Sequence, residues 1–374
     1  MIEVSGVCPD RFERVRAAFG ANFAEDLELG ARFSIAIEGE LIIDLWAGHA
    51  DRARTLPFAE DTLTAVFSTT KAMAALMMAR LVDAGALAYD QPVARVWPEF
   101  AAAGKTGVSV GEALSHQAGL AGLRQPMEPA RWFDWAFICA ELAAMAPLWP
   151  PGSASGYHPV TFGYLAGEIF RRVDGRSLAK ALAADLAEPF GLDLMIGVPE
   201  AEQGRCAAVQ RPPAMPDLGE ITEVRRLAFL AKWASPGGVS LAQWRGAEIP
   251  SVTGHATAPA LARMMAIVAC GGRLAGRQWL SPATIEALCA ERIAGPDLVL
   301  PYDLSWAAGL LRNERLGIYG PGQRTVGHSG WGGSCAFADP ERRLSGAYVM
   351  NRQSAALIGD PRPRRLIDAV YACF

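Results

Sequence analysis

Two hairpin patterns bracket this chain, and they constrain its fold more than any other feature. Residues 33–48, FSIAIEGELIIDLWAG, read as two strands around a Glu38-Gly39-Glu40 turn. Residues 334–350, SCAFADPERRLSGAYVM, read the same way around Asp339-Pro340-Glu341. Helical patterns separated by Pro/Gly loops fill the space between, at 109–115, 134–146, 161–172, 177–187 and 258–271. A last helix is expected at 363–373, and 193–253 reads as irregular. Strands at both ends and helices in the middle imply an α/β (α+β) fold. Its central antiparallel sheet is built from both termini, flanked by helices, with a helical domain inserted. At 374 residues the chain exceeds what one core usually holds. The expected division is 1–85 with 215–374 as the sheet domain, and 86–214 as a mainly helical domain.

Several function classes are disfavoured by composition. A formal charge of −4 gives no reason to expect a nucleic acid or an anionic membrane as partner. The longest apolar runs are broken by Arg80, Asp83 or Glu168, short of a membrane span. The segment MIEVSGVCPDRFERVRAAF lacks the basic and apolar regions of a secretory signal, so a soluble, cytoplasmic protein is expected. The seven cysteines are scattered without a C-x-x-C pair, and the five histidines show no H-E-x-x-H spacing. Neither a disulfide framework nor a metal site is suggested, and no cofactor is expected.

Lys71 stands out against this background. Lysines are few (Lys71, Lys105, Lys180 and Lys232), and this one sits in an apolar helical run, AVFSTTKAMAALMMARLVDAG, at 65–85. Ser68 lies three residues earlier, on the same helix face. A serine at a helix start meets outward-pointing N–H groups and the positive end of the helix dipole. A buried lysine has its charged form disfavoured and can accept a proton. The alternative is a serine cap with a lysine reaching for water. Ser177 and Lys180 repeat the S-x-x-K spacing in a helix with polar positions, where that structural reading fits. For Ser68 and Lys71 the local pattern leaves both readings open.

Two loops add to the pair. Gly152-Ser153-Ala154-Ser155-Gly156-Tyr157-His158-Pro159 precedes a helix, and its Gly and Pro residues suggest a fixed Tyr157 hydroxyl. An adjacent ammonium would favour the phenolate and make Tyr157 a general base; packing at a helix entrance is the alternative. His158 would border the same pocket. Gly327-His328-Ser329-Gly330-Trp331-Gly332-Gly333-Ser334 allows close backbone approach by a ligand. It approximates G-x-S-x-G, but Trp331 replaces the last glycine, and a strand rather than a helix follows, against Ser329 as a nucleophile. His116 reads as a structural histidine at a helix end. The stretch Arg131-Trp132-Phe133-Asp134-Trp135 suits a substrate pocket or the core equally.

In order, these pieces resemble the serine β-lactamase and penicillin-binding-protein superfamily, in its class C β-lactamase-like branch, and most of all the family VIII carboxylesterases. The resemblance runs through FSTTK (67–71), LSHQAGL (114–120), PLWPPGSASGYHPVTFGYLAGEIFRRVDG (147–175), GHATAPALARMMAIVACGG (254–272), GHSGWGGS (327–334) and ADPERRLSGAYVMNR (338–352). It implies a β-lactamase-like fold with Ser68 as nucleophile, Lys71 as its partner, and Tyr157 as general base in the place of the Y-x-N tyrosine. His328-Ser329-Gly330 matches the K-T-G strand motif. The backbone N–H groups of Trp331 and Ser68 would then form the oxyanion hole, with His328, Ser329, Gly330, Trp331 and His158 around the substrate. Pro159 stands where the family's β-lactamases place an amide-binding asparagine, and His328 where they place a lysine for the β-lactam carboxylate. Both changes suit a small-molecule ester. The expected activity is hydrolysis of short-chain acyl esters, with weak β-lactam hydrolysis compatible. A β-lactamase, a D-amino-acid-type peptidase or amidase, and a non-hydrolytic penicillin-recognising protein are the alternatives.

Overall fold

A computed structural model of the chain describes residues 2–125, 127–235 and 237–374. Three strands come from the N-terminal end: β1 (Ser5–Val7), β2 (Gly30–Ile37) and β3 (Glu40–Gly48). A small second sheet joins β4 (Thr64–Ala65), β5 (Leu194–Ile196) and β6 (Gly254–Ala256), with β6 in the middle. Six more strands come from the C-terminal end: β7 (Ile293–Pro296), β8 (Asp303–Trp306), β9 (Leu311–Arg312), β10 (Val326–Ser329), β11 (Cys335–Asp339) and β12 (Leu344–Met350). Among the described residues the main sheet has nine strands in the order β1-β3-β2-β12-β11-β10-β9-β8-β7, all antiparallel. The two ends of the chain meet where β12 pairs with β2, from Leu344 opposite Ile37 to Met350 opposite Ala31. This is the antiparallel sheet built from both ends of the chain that the two hairpin patterns imply.

The hairpins form for local reasons. Between β2 and β3, Glu38 and Gly39 both have positive φ (53° and 87°), the geometry a two-residue hairpin loop needs. Every residue of β12 is buried, which explains its apolar run. Tyr348 and Met350 face one core, and Ala347 and Val349 face the other. Full burial of one such large side chain contributes roughly 1.5–3 kcal/mol.

Helices cover both faces. On one side lie α1 (Glu13–Ala24) and a C-terminal helix. The other side holds α2 (Thr70–Asp83), α3 (Thr161–Asp174) and α4 (Ala258–Ala269). The C-terminal helix is α5 (Pro361–Tyr371), whose Leu366, Ile367 and Val370 share a core with Val15 and Phe19 of α1. Small residues on the sheet (Ala336, Ala338, Ala347) let α4 approach closely, and Ser345 Oγ donates to Ala262 O at 2.7 Å. Nearly all of α2 is buried, as an all-round apolar helix must be. It forms the centre of the molecule and carries the site at its N-terminal end.

Two local differences have physical causes. The helix expected over 177–187 is α-helical only at Leu178–Leu182, then widens over Ala183–Ala187. Pro189 has no N–H to give, and Asp185 O instead accepts the Trp279 indole at 3.1 Å. Strands β7 to β9 lie in a stretch for which the sequence offered no strand pattern; they are two to four residues long.

Candidate active site

Ser68 stands between β4 and α2, in a 3₁₀ turn formed by Phe67–Thr69. Phe67 has φ +46°, which a non-glycine residue adopts only when its surroundings impose it. The restraints are visible on both sides. Val66 N donates to Gly254 O at 2.9 Å. Val66 O accepts from Ser334 Oγ at 2.8 Å, and Thr70 Oγ1 bonds Phe67 O. The constraint sets Ser68 beside the Lys71 amine.

No side-chain cap forms at the start of α2. Ser68 Oγ instead lies within hydrogen-bond distance of Lys71 Nζ, at 3.2 Å. Lys71 is fully buried, and its amine also donates to Pro159 O (2.8 Å) and Ser251 O (3.2 Å). Burial holds its pKa well below 10.5. Ser177 differs at each point: it caps its helix by accepting Lys180 N–H at 3.2 Å, and Lys180 is exposed.

Tyr157 faces this pair, with Lys71 Nζ 4.8 Å from its ring centre. Its ring stacks on Trp306 at 5.8 Å, tilted by only 10°. Burial pushes the phenol pKa up, the Ser68 hydroxyl pulls it down, and Asp297 raises it again. The sequence suggested a phenolate favoured by an ammonium; burial acts in the opposite direction on both groups, toward a neutral phenol and a neutral amine.

Asp297, not singled out in the sequence, fixes the Tyr157 loop. Its Oδ1 accepts the N–H groups of Tyr157, Val299 and Leu300, each at 2.9 Å, and its Oδ2 accepts Ser155 Oγ at 2.9 Å. Ser155 and Asp297 are 142 residues apart, and a lone aspartate in Gly-Pro-Asp carries no signal of such a partner. Trp306 was missed for the same reason.

The three nearby histidines are buried. His158 is held by backbone alone: Nε2 accepts Leu120 N–H at 3.0 Å, and Nδ1 pairs with Gly156 O at 2.6 Å. His116, at φ +64°, accepts His158 N–H on Nδ1 at 3.1 Å. Its ring lies 4.8 Å from Tyr157 and 4.5 Å from Trp306, centre to centre, and its Nε2 has no partner among the described residues. His328 pairs through Nδ1 with Ser329 O at 2.8 Å, its Nε2 has no partner among the described residues, and its ring centre lies 6.1 Å from that of Tyr157. Burial, then Lys71, lower its pKa to about 3, so it is uncharged at neutral pH. Ser329 points to the other side of β10 and bonds Tyr319 Oη at 2.8 Å.

After β10 the chain turns sharply. Gly333 N donates to Gly330 O at 3.1 Å, and Gly332 has φ +89°, the position-three geometry of a type II turn. A Cβ on Gly330 would lie 2.2 Å from Val66 O, so only glycine lets this strand end dock beside Ser68. Among the described residues, neither Ser68 N–H nor Trp331 N–H donates to a backbone acceptor. The Trp331 ring, 37% exposed, stands 6.0 Å from Phe67, which packs 5.7 Å from Trp244, forming an aromatic rim. Trp132, Phe133 and Trp135 line a different cavity of about 270 Å³, bounded by Ser177, Glu248 and Pro250 rather than by Ser68.

A serine–lysine pair at the head of a buried helix, set against an antiparallel sheet with helices inserted in the chain between its halves, defines the serine hydrolases of the β-lactamase type. The family model described as Beta-lactamase matches residues 19–370, and the chain belongs to that family. It is 35% identical over 368 residues to the esterase/beta-lactamase LipL of Mycobacterium tuberculosis, covering 95% of this chain and 84% of that protein. Two solved structures match over the whole of both chains. A penicillin-binding protein homologue from Caulobacter crescentus has a TM-score of 0.98 at 63% identity. A family VIII carboxylesterase has a TM-score of 0.92 at 41% identity. No described helix is long and apolar enough to cross a membrane.

Proposed function

We propose that this protein is a carboxylesterase that cleaves short-chain acyl esters through an acyl-enzyme on Ser68. The observation that carries the proposal is the buried Lys71 amine, 3.2 Å from Ser68 Oγ and shifted toward its neutral form. The neutral amine keeps its two N–H bonds on Pro159 O and Ser251 O and turns its lone pair to Ser68, whose proton it takes as Oγ attacks the ester carbonyl. Ser68 N–H and Trp331 N–H hold the oxyanion, the largest electrostatic contribution in such reactions. Tyr157, as a phenol, passes a proton to the departing alkoxide and is reprotonated from Lys71, completing the base system. Water then repeats the cycle on the acyl-enzyme, with the same groups. His328 and Trp331 are the members of the strand motif that face the substrate, Gly330 permits the close approach, and Ser329 and His158 support from behind.

An ester fits better than a β-lactam for two reasons. Pro159 offers no side-chain amide, and its carbonyl is engaged by Lys71 at 2.8 Å. His328 is buried and neutral, so it gives a β-lactam carboxylate no counter-charge. We expect kcat/KM for a short-chain p-nitrophenyl ester to exceed that for a chromogenic cephalosporin by at least about 100-fold, the scale set by one lost charged contact. Comparable turnover of the two would establish a β-lactamase. A burst on either substrate without turnover would establish a non-hydrolytic penicillin-recognising protein. Intact mass after a slow substrate should show the acyl group on Ser68; label on Ser329 would overturn the assignment.

The pH dependence follows from the same groups. The amine must be neutral to act, so kcat/KM rises as pH climbs through the Lys71 pKa, which burial holds well below 10.5. Tyr157 must keep its proton, and burial moves its loss to higher pH than the usual phenol value of 10.0. The expected profile is a rising acid limb, then a plateau reaching to pH 10. Activity still rising steeply at pH 10 would mean an ordinary lysine and would exclude this mechanism.

A further inference from the structure

The turn that presents Trp331 N–H is gripped from the far side by a buried ionic cluster. Gly330 C=O points into the turn, toward Gly333 N–H, and in a trans peptide the Trp331 N–H points the opposite way, out of the turn. The next two carbonyls are also tied. Trp331 O accepts Gln353 Nε2 at 3.1 Å. Gly332 O accepts Arg362 Nη2 at 2.6 Å and Ser354 N–H at 3.0 Å.

Each guanidinium nitrogen of Arg362 is hydrogen-bonded. Its Nε and Nη2 form a fork on Asp360, at 3.0 and 2.8 Å. Its Nη1 reaches Glu28 Oε2 at 3.0 Å, Arg352 O at 2.8 Å and Leu27 O at 3.3 Å. Glu28 also accepts the Tyr348 hydroxyl. Arg362, Glu28 and Asp360 are all almost completely buried. A buried ion cluster of this kind costs desolvation that well-packed apolar residues would avoid, so stability alone does not account for it. A guanidinium fixed in one orientation does account for a fixed carbonyl.

We propose that Arg362 is a positioning residue for catalysis: held by Asp360 and Glu28, it fixes Gly332 O and thereby aims Trp331 N–H at the developing oxyanion. The proposal rests on the reading of Trp331 N–H as an oxyanion donor. Lysine at 362 keeps the charge but cannot reproduce the fork on Asp360 together with the bond to Gly332 O. Loss of one oxyanion donor costs about 100- to 1,000-fold, so partial misalignment should cost about 10- to 100-fold in kcat.

The test compares Arg362→Lys and Gly332→Ala with the native enzyme on a short-chain ester, together with inhibition by phenylboronic acid. The tetrahedral boronate on Ser68 places an oxygen where the oxyanion forms. For Arg362→Lys we expect kcat to fall about 10- to 100-fold with KM changed less than about threefold, and boronate affinity to weaken by a similar factor. A lowered melting temperature with unchanged kcat and boronate affinity would overturn the proposal by making Arg362 structural only. Gly332→Ala strains the turn itself. If that variant folds and keeps both kcat and boronate affinity, the oxyanion reading of Trp331 fails; if it loses them while Arg362→Lys does not, that reading stands and the proposal fails. Should Arg362→Lys not fold, Asp360→Asn loosens the same fork, and unchanged kcat and boronate affinity in it overturn the proposal equally.

Discussion

Ser68→Ala should lower ester hydrolysis by about 10⁴- to 10⁶-fold, the range for deleting a nucleophile in a serine hydrolase. The side chain is small and only partly buried, and its partners are the side chains of Lys71 and Tyr157 rather than the backbone of α2, so the fold should hold. Ser177→Ala is the matched control. Its hydroxyl caps a helix, so its loss should cost about 1 kcal/mol of stability and change activity less than twofold. Both are read in one assay, initial rate on a short-chain ester, with the melting temperature measured alongside. A Ser68→Ala enzyme within tenfold of native activity would end the acyl-enzyme mechanism, because among the described residues Ser68 is the serine hydroxyl bonded to a buried lysine amine.

Lys71→Met should lower kcat by about 10²- to 10⁴-fold, the usual yield of a positioned general base. Methionine matches the length of the lysine stem and suits the buried surroundings, so the loss is chiefly chemical. It also leaves Pro159 O and Ser251 O without their donor, at a cost of about 1–3 kcal/mol for each carbonyl that water does not reach. The variant should therefore melt lower while remaining folded. The decisive readout is the pH profile: the acid limb assigned to Lys71 should disappear from the residual activity. If the limb persists unchanged, another group is the base. Tyr157→Phe, which keeps the stack on Trp306, should cut kcat without removing that limb.

The parts of the molecule legible in the sequence are those whose cause is local. The β2–β3 and β11–β12 hairpins carry their own turns and alternation. Lys71 is conspicuous because α2 offers no polar face through which it could escape. The motif segments signalled Tyr157 and the 328–331 strand end through their glycines and prolines. What could not be read has distant causes. Asp297 matters because of Tyr157 and Ser155, far earlier in the chain. Arg362 matters because of Glu28 and Gly332, from opposite ends of it. Strands β7 to β9 are too short to show a period, and they exist because β10 offers them an edge. The direction of the Tyr157 shift is hidden for a related reason: the sequence shows which charged group neighbours the phenol, but not how completely the phenol is buried.

The pairing of β2 with β12 also sets an order of assembly. Ser68 and the helix it heads leave the ribosome early, whereas the carbonyl of Val66 waits for Ser334, 268 residues later, to complete its hydrogen bonds. Until β12 is made, β2 presents a long unpaired edge of buried-type residues, a surface on which chains aggregate. Contacts of such sequence separation also fold slowly. The enzyme therefore becomes competent only after almost the whole chain is synthesised. A product truncated before β12 would hold Ser68, Lys71 and Trp331 and still lack the strand that joins the two halves of the sheet behind them.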